Sequence, residues 1–383
     1  MYPLNSIRLE NFKSYKDQSF KLSGLNIFCG NNSVGKSTVM QAIGMILQSD
    51  FSGKFELKLN GDLINIGRID DIINDSIPNN AQLKLTLSIN GYDVSWGISK
   101  EDSTSVRNEL PCILGAQNLA KIKGFINTLN FQYIEAERLG PRDNITLSLH
   151  NFHNEWLGKK GEFVTEVLYN IINKKDRLIL KNGFPDKSDY RIHPKINSAR
   201  VASNIQAWMD EISPNYKISP EIEENANIAY NTIRSESGKN TKPKNIGFGY
   251  SYALSIVTSL LLAQPGELVV LENPEAHLHP RGQSYIGRLI AYSAQAGVQI
   301  LVETHSDHLL NGIRVVARTS ADFSPEIISL FYISHEKNES TAEKITISKD
   351  GKLSSWPKGF FDQQSIDMYT IMTGRSETPN LVK

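Results

Sequence analysis

Cys29-Gly30-Asn31-Asn32-Ser33-Val34-Gly35-Lys36-Ser37-Thr38 fits the phosphate-loop pattern GxxxxGK[ST]. Its flanks are what that pattern needs. Leu25-Asn26-Ile27-Phe28-Cys29 is short and mostly apolar, as a buried strand is. Val39, Ile43, Ile46 and Leu47 recur at helical spacing, which predicts an amphipathic helix over Lys36 to Gln48. Strand, Gly-rich turn and helix N-terminus together form an anion site, because backbone N–H groups converge there and the helix dipole adds positive potential. Gly30 to Thr38 would wrap the phosphates, Lys36 would reach the β- and γ-phosphates, and the Ser37 hydroxyl would ligate Mg²⁺. The stretch predicts an α/β fold around a nucleoside triphosphate site.

Composition sets the bounds. The 383 residues allow one large domain or two. No run reaches the roughly 18 apolar residues of a membrane span, and Met1 to Asn11 lacks an apolar signal core. Two cysteines, Cys29 and Cys112, make no disulfide framework, so the expected setting is the cytoplasm. A formal net charge of zero removes any argument from bulk charge for nucleic-acid binding, while a local patch stays open.

Ile7 to Phe12 alternates as an edge strand would, and a second strand is expected near Gln18 to Leu22. Leu57 to Ile66 and Leu83 to Ile98 alternate around Asn60-Gly61 and Asn90-Gly91, which predicts hairpins in a β-rich lobe from about 51 to 105. Leu119 to Leu129 has helical spacing, and Phe131 to Arg138 reads as a strand. Arg138 and Arg142 beside Gly140-Pro141 suit phosphate or inter-subunit contacts, or equally a solvated loop.

Residues 143–235 carry no catalytic signature. Helical spacing recurs in Phe163, Val167, Leu168 and Ile171-Ile172, and again near Ile205, Trp208 and Ile212. Between Lys159 and Arg200 the basic residues outnumber the acids, which suits a solvated helical face or a nucleic-acid or acidic partner. Ser235 to Asn245 reads as a mobile polar loop. Three units result: 1–142 with the phosphate loop and β-rich lobe, a mainly helical insert over 143–245, and 246–383.

The last unit holds further site residues. Gly247-Phe248-Gly249-Tyr250-Ser251 opens an apolar helix, a second phosphate-ready N-terminus. Leu268 to Leu271 is an apolar strand ending in Glu272-Asn273-Pro274-Glu275, and Glu272 is the candidate Mg²⁺ acid, acting directly or through water. His277 and His279 have no further Cys/His ligands nearby to make a zinc site. Val298 to Thr304 is another apolar strand, and it delivers His305 where a γ-phosphate sensor should stand. Strands are also expected over Ile327 to Ile333 and Lys344 to Ser348, with a helix near Gln364 to Met372.

Taken in order, the phosphate loop, Gly-Phe-Gly-Tyr-Ser, Glu-Asn-Pro-Glu-x-His-Leu-His-Pro and Glu-Thr-His-Ser resemble the ABC-type, SMC-like AAA ATPases. That class includes the ATPase half of OLD-family nucleases and many prokaryotic defence ATPases. The strand pair ahead of the loop is similar to the opening of those heads, and Trp356 to Asp362 resembles the end of one of its subgroups. The resemblance covers about 1–50 and 245–315. It implies ATP and Mg²⁺ as ligands and a homodimer or higher oligomer in which two heads sandwich ATP. Gly247, Gly249 and Ser251 would then act in trans, His305 would be the switch histidine, and His279 would lie in the dimer-contacting segment. Asn273 departs from the pattern, because it stands where the family places its catalytic glutamate. Asparagine can orient water but cannot take its proton, so Glu275 is the available base.

The resemblance makes this an ATPase that gates a separate effector, such as a nuclease in anti-phage defence. A DNA-binding or repair ATPase using the basic insert is the alternative. A self-contained nuclease would have only His150, His153 and His193 to use. The chain has no long heptad region, and the roughly 78 residues after His305 are too few for the TOPRIM nuclease of OLD proteins.

Overall fold

A six-stranded sheet carries the phosphate loop. The computed structural model describes residues 2–374 apart from 52, 75, 79–80, 102–107, 115–117, 149–151, 175–176, 180–188, 236–237 and 358. The phosphate-loop strand, Leu25–Gly30, pairs in parallel with Ile328–Glu336 on one side and with Gln299–Glu303, the switch strand, on the other. Beyond the switch strand lie Leu268–Glu272, the acidic strand, and then Phe131–Ile134, both parallel. Glu339–Ile345 closes the opposite edge antiparallel, turning at Lys337 and Asn338 with φ of 50° and 62°. The four strands of this parallel core that bear the site end at one edge, where ligands of such sheets bind.

These strands are mostly apolar because both faces are covered. Successive residues point to opposite faces, so Leu268 and Val270 pack in one core while Val269 and Leu271 pack in the other. The first core holds the helix Lys36–Gln48, as expected, together with the N-terminal lobe. The second holds the signature helix Phe248–Leu262 and the helices Pro280–Gln295 and Asp307–Thr319.

The lobe is a five-stranded antiparallel sheet ordered Tyr15–Lys21, Leu4–Phe12, Gln82–Ile89, Tyr92–Ser99, Cys112–Leu114. Asn90 and Gly91 turn with φ of 49° and 79°, as the hairpin signal required. Two expectations need correcting. Leu4–Phe12 is an interior strand, since the distant hairpin pairs along its free side. Leu57–Lys58 pairs with Glu109–Leu110, and the Asn60-Gly61 stretch is a loop closed by one Asn60–Asn65 bridge. The helix Leu119–Thr128 forms as expected.

The insert is mixed rather than mainly helical. Its helices are Val164–Tyr169, continued by a wider turn over Asn170–Lys174, and Val201–Ile212. Tyr216–Glu223 and Ile228–Ser235 form an antiparallel pair turning at Asn227, with Ile145–Thr146 and Asn240–Thr241 added on the far side. Pro220 has no N–H to donate, and it is accommodated because Tyr216–Glu223 is an edge strand. The expected mobile loop 235–245 is instead a paired return, with 236–237 outside the described residues. Leu168, Ile205 and Trp208 share the core of Leu260 and Ile286, so the insert is packed onto the head.

The C-terminal helix Gln363–Thr373 has no buried residue. Among the described residues no helix is long and apolar enough to cross a membrane.

Candidate functional site

The phosphate loop is held open by residues in left-handed conformations, with φ of 144° at Gly30, 62° at Ser33 and 102° at Gly35. A Cβ at Gly30 would lie 2.1 Å from the Ile333 carbonyl, so only glycine lets the loop approach its neighbouring strand. Tyr15 donates to the Gly35 carbonyl at 3.0 Å and fixes the end of the loop. The following helix starts with no side-chain cap, which leaves its first N–H groups for an anion. Lys36 is folded back across the loop, donating to the carbonyls of Gly30 at 3.1 Å and Asn31 at 2.5 Å. Incoming phosphates would exchange those carbonyls for their own oxygens. Burial lowers the ammonium's pKa, against the opposing pull of Glu303. Asn31, Asn32, Ser33 and Ser37 are exposed, whereas Val34 and Thr38 are buried.

Three carboxylates face this loop from two strand ends. Ser37 Oγ donates to Glu303 Oε1 at 3.0 Å. Glu303 is 4% exposed, and burial, reinforced by Glu272, pushes its pKa up to about 7. Glu272 accepts from the Tyr133 hydroxyl at 2.5 Å and from Ala136 N–H at 3.2 Å. Glu275 accepts from Thr304 Oγ1 at 2.8 Å and His305 N–H at 2.6 Å, which ties the turn after the acidic strand to the switch loop. Burial raises both pKa values. The sequence singled out Glu272 for the metal, yet the carboxylate in contact with Ser37 is Glu303, one strand nearer the loop. Its only sequence sign is its place immediately before Thr304-His305.

Asn273 adopts φ of 44°, with its N–H on the Glu303 carbonyl at 2.9 Å. Its Oδ1 is buried with no hydrogen-bond partner. The Ser37 hydroxyl and the carboxylates of Glu303 and Glu272 supply hard oxygen donors, the chemistry that suits Mg²⁺ and its waters. His305 lines a cleft of about 390 Å³ with Gly30, Asn31, Asn32 and the C-terminal residues Gly359 to Gln363. Burial and then Lys36 lower its pKa, which favours the neutral ring.

The signature residues lie elsewhere. Phe248 is 55% exposed, and a Cβ on Gly247 would meet nothing within 4 Å. No hydrogen bond among the described residues connects Gly247, Gly249 or Ser251 to residues 30–38. A Cβ at Gly249 would lie 2.7 Å from the His277 carbonyl, so helix start and post-acidic segment touch. His277 packs against the rings of Phe248 at 5.7 Å and Tyr252 at 4.8 Å, while His279 Nδ1 accepts from Arg281 N–H at 3.3 Å.

Two of the insert's arginines are internal, while Lys174, Lys195 and Arg200 are exposed. Arg191 is fully buried on Asp189 and the carbonyls of Leu260 and Ala263, and Arg177 pairs with Glu155 and the Leu262 carbonyl. Lys159 and Lys160 reach Glu135, and Lys195 reaches Glu211. Lys175, Lys181 and Lys187, with Asp176 and Asp186, lie outside the described residues. Arg138 is buried as well and is therefore not a solvated loop arginine, while Arg142 is exposed. Of the proposed nuclease histidines, His153 Nε2 bonds the Phe131 carbonyl and His193 is buried edge-on to Trp208. His150 lies outside the described residues.

Comparison with known proteins bears on this geometry. Residues 1–137 match the family model "AAA ATPase domain", and residues 128–311 match "AAA domain, putative AbiEii toxin, Type IV TA system". Residues 323–371 match "Protein of unknown function (DUF3696)". No curated protein matches the chain. Among solved structures, the chain is similar to an SMC head bound to the C-terminal winged-helix domain of ScpA. The two are 14% identical, with a TM-score of 0.55 over 91% of this chain and 99% of that one. It is also similar to an SMC head with an extended coiled coil, bound to the C-terminal domain of ScpA from Pyrococcus furiosus. There the identity is 12% and the TM-score 0.56, over 90% and 97% of the two chains. At such identities the structural likeness speaks for the fold, and the two ATPase models speak for the activity. Together the two models span residues 1–311, and the chain is an AAA-type ATPase whose fold is that of an SMC head.

Proposed function

We propose that two or more copies of this ATPase sandwich ATP, each head closing its signature helix on the phosphates held by its partner's loop. The exposed, uncapped start of the signature helix, with Phe248 open to solvent, is the observation that carries this reading. Within one site, Lys36 and the N–H groups of Gly30 to Thr38 hold the phosphates. Ser37, with Glu303 and Glu272, would hold Mg²⁺, which when bound neutralises charge on the β- and γ-phosphate oxygens. Asn273 Oδ1 accepts a hydrogen bond from the attacking water. Glu275, two residues on, takes that water's proton as the β–γ phosphoanhydride bond breaks, giving ADP and phosphate. His305 reports the γ-phosphate to the switch loop. Because positioning and electrostatics dominate phosphoryl transfer, turnover persists without a glutamate at position 273, though slowly.

The assembled ATPase acts in the cytoplasm and gates a separate effector, a nuclease of an anti-phage system. Support for the defence setting is the toxin–antitoxin description of the family matched by residues 128–311. Contact with DNA through the insert is disfavoured by the inward-facing arginines 177 and 191.

Mixing two dead variants tests the sandwich. Lys36→Ala lacks a working loop and Ser251→Arg lacks a working signature. An equal mixture restores one composite site in half of the dimers, so roughly a quarter of wild-type turnover should return. If the mixture stays as inactive as its parts while both remain folded, the site is not shared between copies.

A further inference from the structure

Arg138 follows Phe131–Ile134 and is 3% exposed. Among the described residues its guanidinium makes no carboxylate pair. Nη1 donates to the Glu272 carbonyl at 2.8 Å and the Glu135 carbonyl at 3.1 Å, and Nη2 donates to the Asn273 carbonyl at 2.7 Å. The same group lies over the Tyr252 ring, 5.0 Å from its centre. Tyr252 belongs to the opening of the signature helix, and its ring meets His277 edge-on. One buried cation thus touches both the hydrolytic turn and the helix whose free end would engage the partner's nucleotide.

We propose that Arg138 is a positioning residue for the ATPase reaction. It clamps the carbonyls of Glu272 and Asn273 and, through Tyr252, keys that turn to the signature helix. The Asn273 backbone sits in a left-handed conformation that persists only where its surroundings hold it. Its N–H is fixed by the Glu303 carbonyl and its own carbonyl by Arg138, so the two bonds together aim the orphaned Oδ1. A planar fork can span two successive carbonyls and still present its face to an aromatic ring, which a lysine ammonium cannot do. Movement of the signature helix would be felt at the turn through Tyr252. This last link rests on the sandwich reading, whereas the clamp itself does not.

The test compares Arg138→Lys and Tyr252→Leu with wild type by kcat, equilibrium binding of radiolabelled ATP, thermal melting, and dependence of specific activity on protein concentration. Arg138→Lys should lower kcat about ten-fold or more while ATP affinity stays within about two-fold, because the turn acts in the transition state and not in binding. Tyr252→Leu should lower kcat several-fold and flatten the concentration dependence. A folded Arg138→Lys protein with wild-type kcat overturns the proposal, as does a loss of kcat that only tracks the folded fraction. If Arg138→Lys does not fold, Arg138→Gln takes its place, and wild-type kcat in that folded variant overturns the clamp, while wild-type kcat in Tyr252→Leu overturns the link to the signature helix. Failure of the sandwich reads out separately, as wild-type activity that ignores protein concentration while the Arg138→Lys defect remains.

Discussion

The acidic strand and the switch strand run side by side, and each ends in a glutamate, half-buried at Glu272 and buried at Glu303, but the two carboxylates have different partners. Glu272 is tied by Tyr133 and Ala136 toward the outer strand Phe131–Ile134. Glu303 is in contact with Ser37 of the phosphate loop. The difference follows from sheet order. Because the switch strand lies between the loop strand and the acidic strand, its last residue is the one within reach of the helix start. A strand-end acid is therefore assigned by its neighbours in the sheet, and a resemblance to a motif identifies only that an acid belongs there.

The largest effect should separate the two acids by metal. Glu303→Gln is expected to lower turnover about 100-fold and to raise the Mg²⁺ needed for half-maximal activity at least about ten-fold. Glu272→Gln should also slow turnover, with a smaller shift in the Mg²⁺ requirement. Titrating Mg²⁺ against phosphate release checks this, and a larger shift for Glu272→Gln would reverse the comparison.

Stability should separate their donors. Tyr133→Phe removes a buried hydroxyl from Glu272 and is expected to cost about 1–3 kcal/mol in urea unfolding. Ser37→Ala, the matching change on Glu303, removes an exposed hydroxyl and should cost less than about 1 kcal/mol while abolishing turnover. Equal costs would mean that both carboxylates depend alike on their donors.

A further difference is in pH. Burial raises the folded-state pKa of Glu303 to about 7, above its unfolded value of 4.5. Its contribution to stability is therefore full below pH 4.5 and is lost as pH rises through about 7. Without nucleotide, Glu303→Gln should melt higher than wild type at pH 8, by up to about 3 kcal/mol of stability, and should gain little at pH 5. A gain of the same size at both pH values would remove ionisation of Glu303 as its cause.

The loop, its helix and the strands ending at Glu272 and Glu303 were legible because each is written in local periodicity and turn chemistry. What was not legible depended on pairing between distant segments. Leu4–Phe12 alternates as an edge strand does, and only the hairpin Gln82–Ser99 makes it interior. Tyr216–Glu223 alternates apolar and polar residues as a strand does, but Pro220 in its middle argues against one until its place at a sheet edge is known. Arg177 and Arg191 look like surface charge until the carbonyls ending the signature helix are brought to them. Glu303 ends a strand read correctly, whereas the strand expected over Phe131 to Arg138 stops at Ile134 and leaves Arg138 in the turn beyond it; the partners of both come from other segments.

The central claim is that hydrolysis runs from the turn after the acidic strand, with Glu275 in place of a glutamate at position 273. Measuring phosphate release and light-scattering mass together for Glu275→Gln tests it most directly. The account expects ATP-dependent assembly to persist or strengthen while phosphate release is lost. Phosphate release at the wild-type rate from this variant would contradict it.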